Sequence, residues 1–73
     1  MEASEAAAVQ AYLRQKFGTA NLRVMPRAKD PSAEVLIGDE FIGVVFRDDE
    51  DGDVSYDFHL TILQMDLPDP RYS

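Results

Sequence analysis

The chain contains a single histidine, His59, and it stands two residues from Asp57, with Ser55 and Thr61 on either side. A carboxylate that orients an imidazole beside a hydroxyl is the raw material of general-base and nucleophilic catalysis. All four residues occupy odd positions, while Val54, Tyr56, Phe58, Leu60 and Ile62 fill the even ones. Alternation of this kind marks a half-buried strand, so it places polar side chains on one face without any catalytic requirement. Positions two apart on one face are about 7 Å apart, too far for the hydrogen bond a triad needs. The glycines form neither a G-x-G-x-x-G nor a P-loop pattern, and no metal set accompanies the pair. The expectation is a protein that is not an enzyme and has no cofactor; a small enzyme using Asp57 and His59 is the least favoured reading.

The run Asp48-Asp49-Glu50-Asp51-Gly52-Asp53 resembles half of a calcium loop. With Gly52 at the invariant glycine, Asp49 and Asp51 occupy the third and fifth ligand positions. The first position then falls on Arg47 and the closing bidentate acid on Phe58. A cation in the first slot and a phenyl ring in the last rule the motif out, and the flanks read as strands. The run is expected to be a solvated hairpin turn with no specific metal. Its carboxylates Asp48, Asp49, Glu50, Asp51 and Asp53 are a candidate acidic contact for a basic partner surface.

Charge is divided unevenly along the 73 residues. Residues 1–37 carry five Lys or Arg against four acids, whereas residues 38–73 carry two against ten, giving the net −7. Phosphate backbones and anionic membranes repel such a chain, so neither nucleic acid nor membrane is expected as a partner. The absence of cysteine excludes disulfides and cysteine-ligated zinc. A start of Met-Glu-Ala-Ser-Glu lacks the basic and apolar regions of a signal peptide, and the expected location is cytoplasmic. The 45% apolar content and seven aromatic residues are those of a folding domain.

The elements that position these residues follow from periodicity. Ala6, Val9, Leu13 and Phe17, flanked by Tyr12, form an apolar helical stripe. Ser4 is a candidate N-cap, and Gly18 supplies the left-handed residue that ends helices, so the helix is expected over 4–17. Strands are expected over 21–25, 33–38, 41–47 and 54–62. A two-residue turn at Asp39-Glu40 sets Ile37 opposite Ile42, Val35 opposite Val44 and Ala33 opposite Phe46. For the next hairpin, a two-residue Asp51-Gly52 turn would put Phe46 opposite Asp57, apolar against polar. A three- or five-residue loop with Gly52 at positive φ instead pairs Phe46 with Tyr56, Val44 with Phe58 and Ile42 with Leu60, and is the expected arrangement. The fold class is therefore α+β: one N-terminal helix packed on a four-stranded antiparallel meander (α-β-β-β-β), a single domain over 1–67 with residues 68–73 as a tail.

One helix covers one face of a sheet. The other face should then present Met25, Leu36, Phe41 and Val45, the candidate interface. Truncating Phe46, placed on the helix side, should cost about 3–5 kcal/mol. The function expected is a small acidic interaction module, non-catalytic and self-associating as a homodimer. The alternative is an acidic accessory protein that binds a basic surface on a partner protein.

Three stretches carry a resemblance: Ala11-Tyr12-Leu13-Arg14 with Phe17-Gly18; Asn21 to Arg27; and Ala33 to Val44 followed by the acidic run at 48–53. Over about residues 10–67 the chain resembles a family of short uncharacterised bacterial proteins, chiefly alphaproteobacterial, defined only as a domain of unknown function. The resemblance implies a bacterial, cytoplasmic protein and carries over no catalytic or ligand-binding residue.

Overall fold

The computed structural model describes residues 1–68. One helix, α1 (Ala3–Phe17), precedes four strands: β1 (Leu22–Pro26), β2 (Ser32–Ile37), β3 (Glu40–Asp48) and β4 (Ser55–Leu60). A short 3-10 turn follows at Gln64–Asp66. The strands are antiparallel and ordered β1-β2-β3-β4, the expected α+β meander. Of the tail expected at 68–73, residues 69–73 lie outside the described residues.

The helix begins earlier than Ser4. Glu2 is the N-cap, and its backbone N–H donates to Glu5 Oε1 at 3.2 Å. A carboxylate in the first turn both satisfies an orphan donor and faces the positive helix end. At the other end Gly18 takes the left-handed conformation (φ 63°) as expected, and Arg14 O accepts from the N–H groups of Gly18 and Thr19.

The helix also ties down the free edge of β1. Gln10 Oε1 accepts from Val24 N–H at 3.0 Å, and Arg14 Nε donates to Leu22 O at 2.7 Å. Two helix side chains thus occupy backbone groups that an edge strand otherwise leaves open. Ala6 and Leu13 of α1 complete a core with Leu22, Val24, Ala33, Val35 and Val45, against which Val9, Ile37, Ile42 and Phe58 pack.

The register of β3 differs from the expected one by a flip of face. The turn between β2 and β3 is Gly38-Asp39, one residue earlier than expected, because Gly38 adopts φ +60°. Ile37 then pairs with Glu40 and Leu36 with Phe41, and a bulge follows that leaves Ile42 as the extra residue before Val35 meets Gly43. The expected pairs of Ile37 with Ile42, Val35 with Val44 and Ala33 with Phe46 are replaced by Val35 with Gly43, Ala33 with Val45 and Ser32 with Phe46.

On the other side, β4 meets β3 with Val45 opposite Phe58, Phe46 opposite Asp57 and Arg47 opposite Tyr56. The register set aside as apolar against polar is the one adopted. Its loop is neither a two- nor a three-residue turn: Asp48 pairs with Ser55, so six residues, 49–54, lie between the paired ends, with Gly52 at φ +86°. The helix face of β3 therefore consists of Gly43, Val45 and Arg47, and that of β4 of Tyr56, Phe58 and Leu60. The expected β4 face holds, and the expected β3 face is inverted. Phe46 is 41% exposed rather than buried, so the 3–5 kcal/mol expected for its truncation does not apply.

Candidate functional site

Of the four residues assigned to the face away from the helix, three are there. Leu36 and Phe41 are directly paired, and Met25 lies on the same face one strand over. Phe41 and Met25 are exposed and Leu36 is half-buried. Val45 is corrected: it is 1% exposed in the core under α1. The bulge at Ile42 restores the alternation one residue out of step, so Val44 and Phe46 take the outer positions intended for it. Phe46 meets His59 edge-on there, with ring centroids 5.3 Å apart.

Asp57 and His59 also lie on this outer face, opposite Phe46 and Val44 respectively. Their nearest ordered partners are thus apolar, and neither takes part in an ion pair within the described chain. No group of three His, Asp or Glu side chains among the described residues is placed to hold a metal. At the acidic turn, Asp48 Oδ1 accepts from Glu50 N–H at 3.0 Å, and Asp49 Oδ2 lies 2.8 Å from Arg47 Nη1. Two of the five candidate contact carboxylates are therefore engaged within their own hairpin, while Glu50, Asp51 and Asp53 are exposed.

The structure assembles one polar cluster that the sequence did not announce. Glu5 from α1, Arg47 from β3 and Tyr56 from β4 converge on the helix side of the sheet. Tyr56 Oη donates to Glu5 Oε2 at 2.7 Å. Arg47 Nε lies 2.8 Å from the same oxygen, yet its N–H is not aimed at it, so the contact is an ion pair without a directed hydrogen bond. The Tyr56 hydroxyl, the Glu2 N–H and the Arg47 charge hold the Glu5 carboxyl below its ordinary range, against an opposing effect of burial. The Glu5 carboxylate and burial raise the Tyr56 hydroxyl. Asp49 and Glu5 raise Arg47. Arg47 and Tyr56 are cross-strand partners, and Glu5 reaches them only because α1 crosses above the sheet. Sequence separation of 51 residues between Glu5 and Tyr56 hides the contact from any local pattern.

This cluster fastens α1 to the β3–β4 hairpin, and its titration has a defined sign. A carboxyl lowered by folding adds stability above its unfolded value of about 4.3, and that stability is lost as pH falls through the folded value. A tyrosine raised by folding adds stability below about pH 10, lost as pH rises through its folded value. Thermal melts should therefore show an acid-side decline that is shallower in Glu5→Gln. The alkaline decline should be shallower in Tyr56→Phe. Identical profiles in the wild type and both variants would show that the cluster does not form in solution.

Two concave apolar surfaces flank β4. On the helix side a groove of about 440 Å³ runs between α1 and β4, lined by Val9, Tyr12, Leu13, Val45, Tyr56 and Phe58. Phe17 borders it, its ring 6.3 Å from that of Phe58. On the outer side a larger basin of about 720 Å³ includes Phe41, Phe46, His59, Ile62 and Leu63. Leu60, Ile62, Leu63, Met65 and Leu67 are all more than half exposed. No helix among the described residues is long and apolar enough to cross a membrane.

Searches of the curated proteins and of the solved structures returned no match. A family model described as a protein of unknown function, DUF3126, matches residues 5–66. That span runs from the Glu5 of the polar cluster through all four strands to the 3-10 turn, and the chain belongs to the DUF3126 family.

Proposed function

We propose that this protein is a small acidic interaction module, non-catalytic and self-associating, that works in the cytoplasm of a bacterium. The observation that carries the reading is the apolar surface the chain leaves uncovered. Much of the exposed apolar surface lies around β4 and the segment after it, where Leu60, Ile62, Leu63, Met65 and Leu67 follow one another within eight positions. Contiguous apolar surface of this kind is the usual mark of an interaction site.

The non-catalytic part of the reading is supported by the setting of Asp57 and His59: His59 borders the outer basin, but both face aromatic and aliphatic neighbours, with no convergent polar partner among the described residues. Catalytic groups are instead found in clefts with a convergent partner. The net charge of −7 opposes association, and salt screens that opposition. Light scattering coupled to size exclusion should show a dimer whose formation strengthens between low and moderate ionic strength. A monomer at every salt concentration and at about millimolar protein, where even a 4 kcal/mol association would register, overturns self-association and leaves a foreign protein as the partner of this surface.

A further inference from the structure

We infer that the partner is a second copy of this chain, joined by antiparallel pairing of the two β4 edges about a two-fold axis at Phe58. The inference rests on the self-association proposed above and names its geometry. The two edges of the sheet differ in kind. The β1 edge is occupied by Gln10 and Arg14, which take the N–H of Val24 and the carbonyl of Leu22. No hydrogen bond reaches the outer edge of β4 from any described residue, since the only side-chain bond of β4 runs from Tyr56 to Glu5 above the sheet. An open edge strand is a template for another strand.

Symmetry restricts how a copy can add. A two-fold axis between antiparallel edge strands stands perpendicular to the sheet, so it must pass through a residue position and keeps both helices on the same side. Centring the axis on Asp57 sets that carboxylate against its own copy. Centring it on His59 sets the two imidazoles together and leaves Asp57 against Thr61. Centring it on Phe58 sets Asp57 of each chain opposite His59 of the other, twice per dimer. On the helix face the same register sets Phe58 against Phe58 and Tyr56 against Leu60. Leu60 of the second copy then lies beside the 440 Å³ groove that Tyr56 and Phe58 line.

The arrangement also separates charge. In an antiparallel pair about Phe58, the acidic turn of each chain lies beside the residues that follow β4 in the other. Asp53 of one copy and Asp53 of its mate are then ten positions apart along the ladder, about 33 Å. That is several screening lengths at ordinary salt, about 8–10 Å each. Parallel pairing would place the two turns side by side.

The test is an exchange of charges across the proposed ladder, read by sedimentation equilibrium at moderate salt. Asp57→Lys lowers the net negative charge and would favour any non-specific association. In this register it faces His59 and should weaken the dimer about tenfold. His59→Glu faces Asp57 and should weaken it similarly. The double variant places opposite charges at both contacts and should return the dimer to near wild-type strength. Register has a second readout, because the chain has no cysteine of its own. Ser55→Cys in one chain and Thr61→Cys in another should cross-link on mild oxidation when mixed, whereas neither variant alone should. A dimer indifferent to the charge exchange and unable to cross-link overturns the β4 register while leaving self-association standing. A monomer throughout overturns both.

Discussion

Val45→Lys should abolish the folded state, whereas Phe46→Ala, one position further along the same strand, should leave it folded. Val45 is 1% exposed, packed with Leu22 and Val35, which are fully buried. A lysine there would place an unpaired ammonium in the middle of the only core the described chain has, at a cost of several kcal/mol. A domain of this size rarely has more than about 3–5 kcal/mol of stability to lose. Phe46, at 41% exposed, gives up a partial apolar burial and its edge-on contact with His59, together about 1.5–3 kcal/mol and without burying a charge. Far-ultraviolet circular dichroism and thermal melts of the two variants decide the matter. A cooperative melt for Val45→Lys together with an unfolded Phe46→Ala would mean that β3 presents its other face to the helix.

Gly43→Ala should damage the β3–β4 ladder almost as severely, although it adds a single methyl group. A Cβ at position 43 would lie 2.3 Å from the backbone oxygen of His59 and 2.8 Å from Cε1 of Phe58. The phenyl ring can rotate, but the carbonyl cannot move away without leaving the strand. Gly43 is also where the ladder resumes after the bulge, opposite Val35 on one side and Leu60 on the other. Overpacking of this kind costs about 1–3 kcal/mol, which lowers the melting temperature by about 5–20 °C in a domain of this length. Amide hydrogen exchange should accelerate selectively in 55–60, since within the described chain β3 is the one strand that pairs with β4, while β1 and β2 retain their mutual protection. Unchanged exchange in β4 would show that the two strands are further apart at this point than the structure places them.

Both expectations turn on the same short stretch, Gly38 to Gly43, and it is here that sequence and structure parted. The helix was legible because its signals are local: an apolar stripe at helical spacing, an acid in the first turn, basic residues in the last and a glycine at the end. The even-position alternation of β4 was legible for the same reason, and it correctly put Tyr56, Phe58 and Leu60 on the helix side. The strand count, their antiparallel order and the placement of Met25, Leu36 and Phe41 on the face away from the helix followed from these signals.

The face of β3 was decided elsewhere. Phe41-Ile42-Gly43-Val44-Val45-Phe46 is apolar or neutral at every position, so neither parity is marked and either face could be buried. Two events settle it, one before the segment and one within it. Gly38 supplies the positive φ that starts the turn a residue early, and the bulge at Ile42 then shifts the ladder once more. With that shift Val45, not Phe46, packs into the core with Leu13, and Arg47 on the same face finds Glu5 on the helix. That last contact joins residues 42 positions apart, and the Tyr56 bond to the same carboxylate joins residues 51 apart. Local pattern therefore determined which elements form and in what order. Only packing of the helix against the finished sheet determined which side of β3 is core, which edge of the sheet is covered and which is left open, because those outcomes depend on volume and charge brought together from opposite ends of the chain.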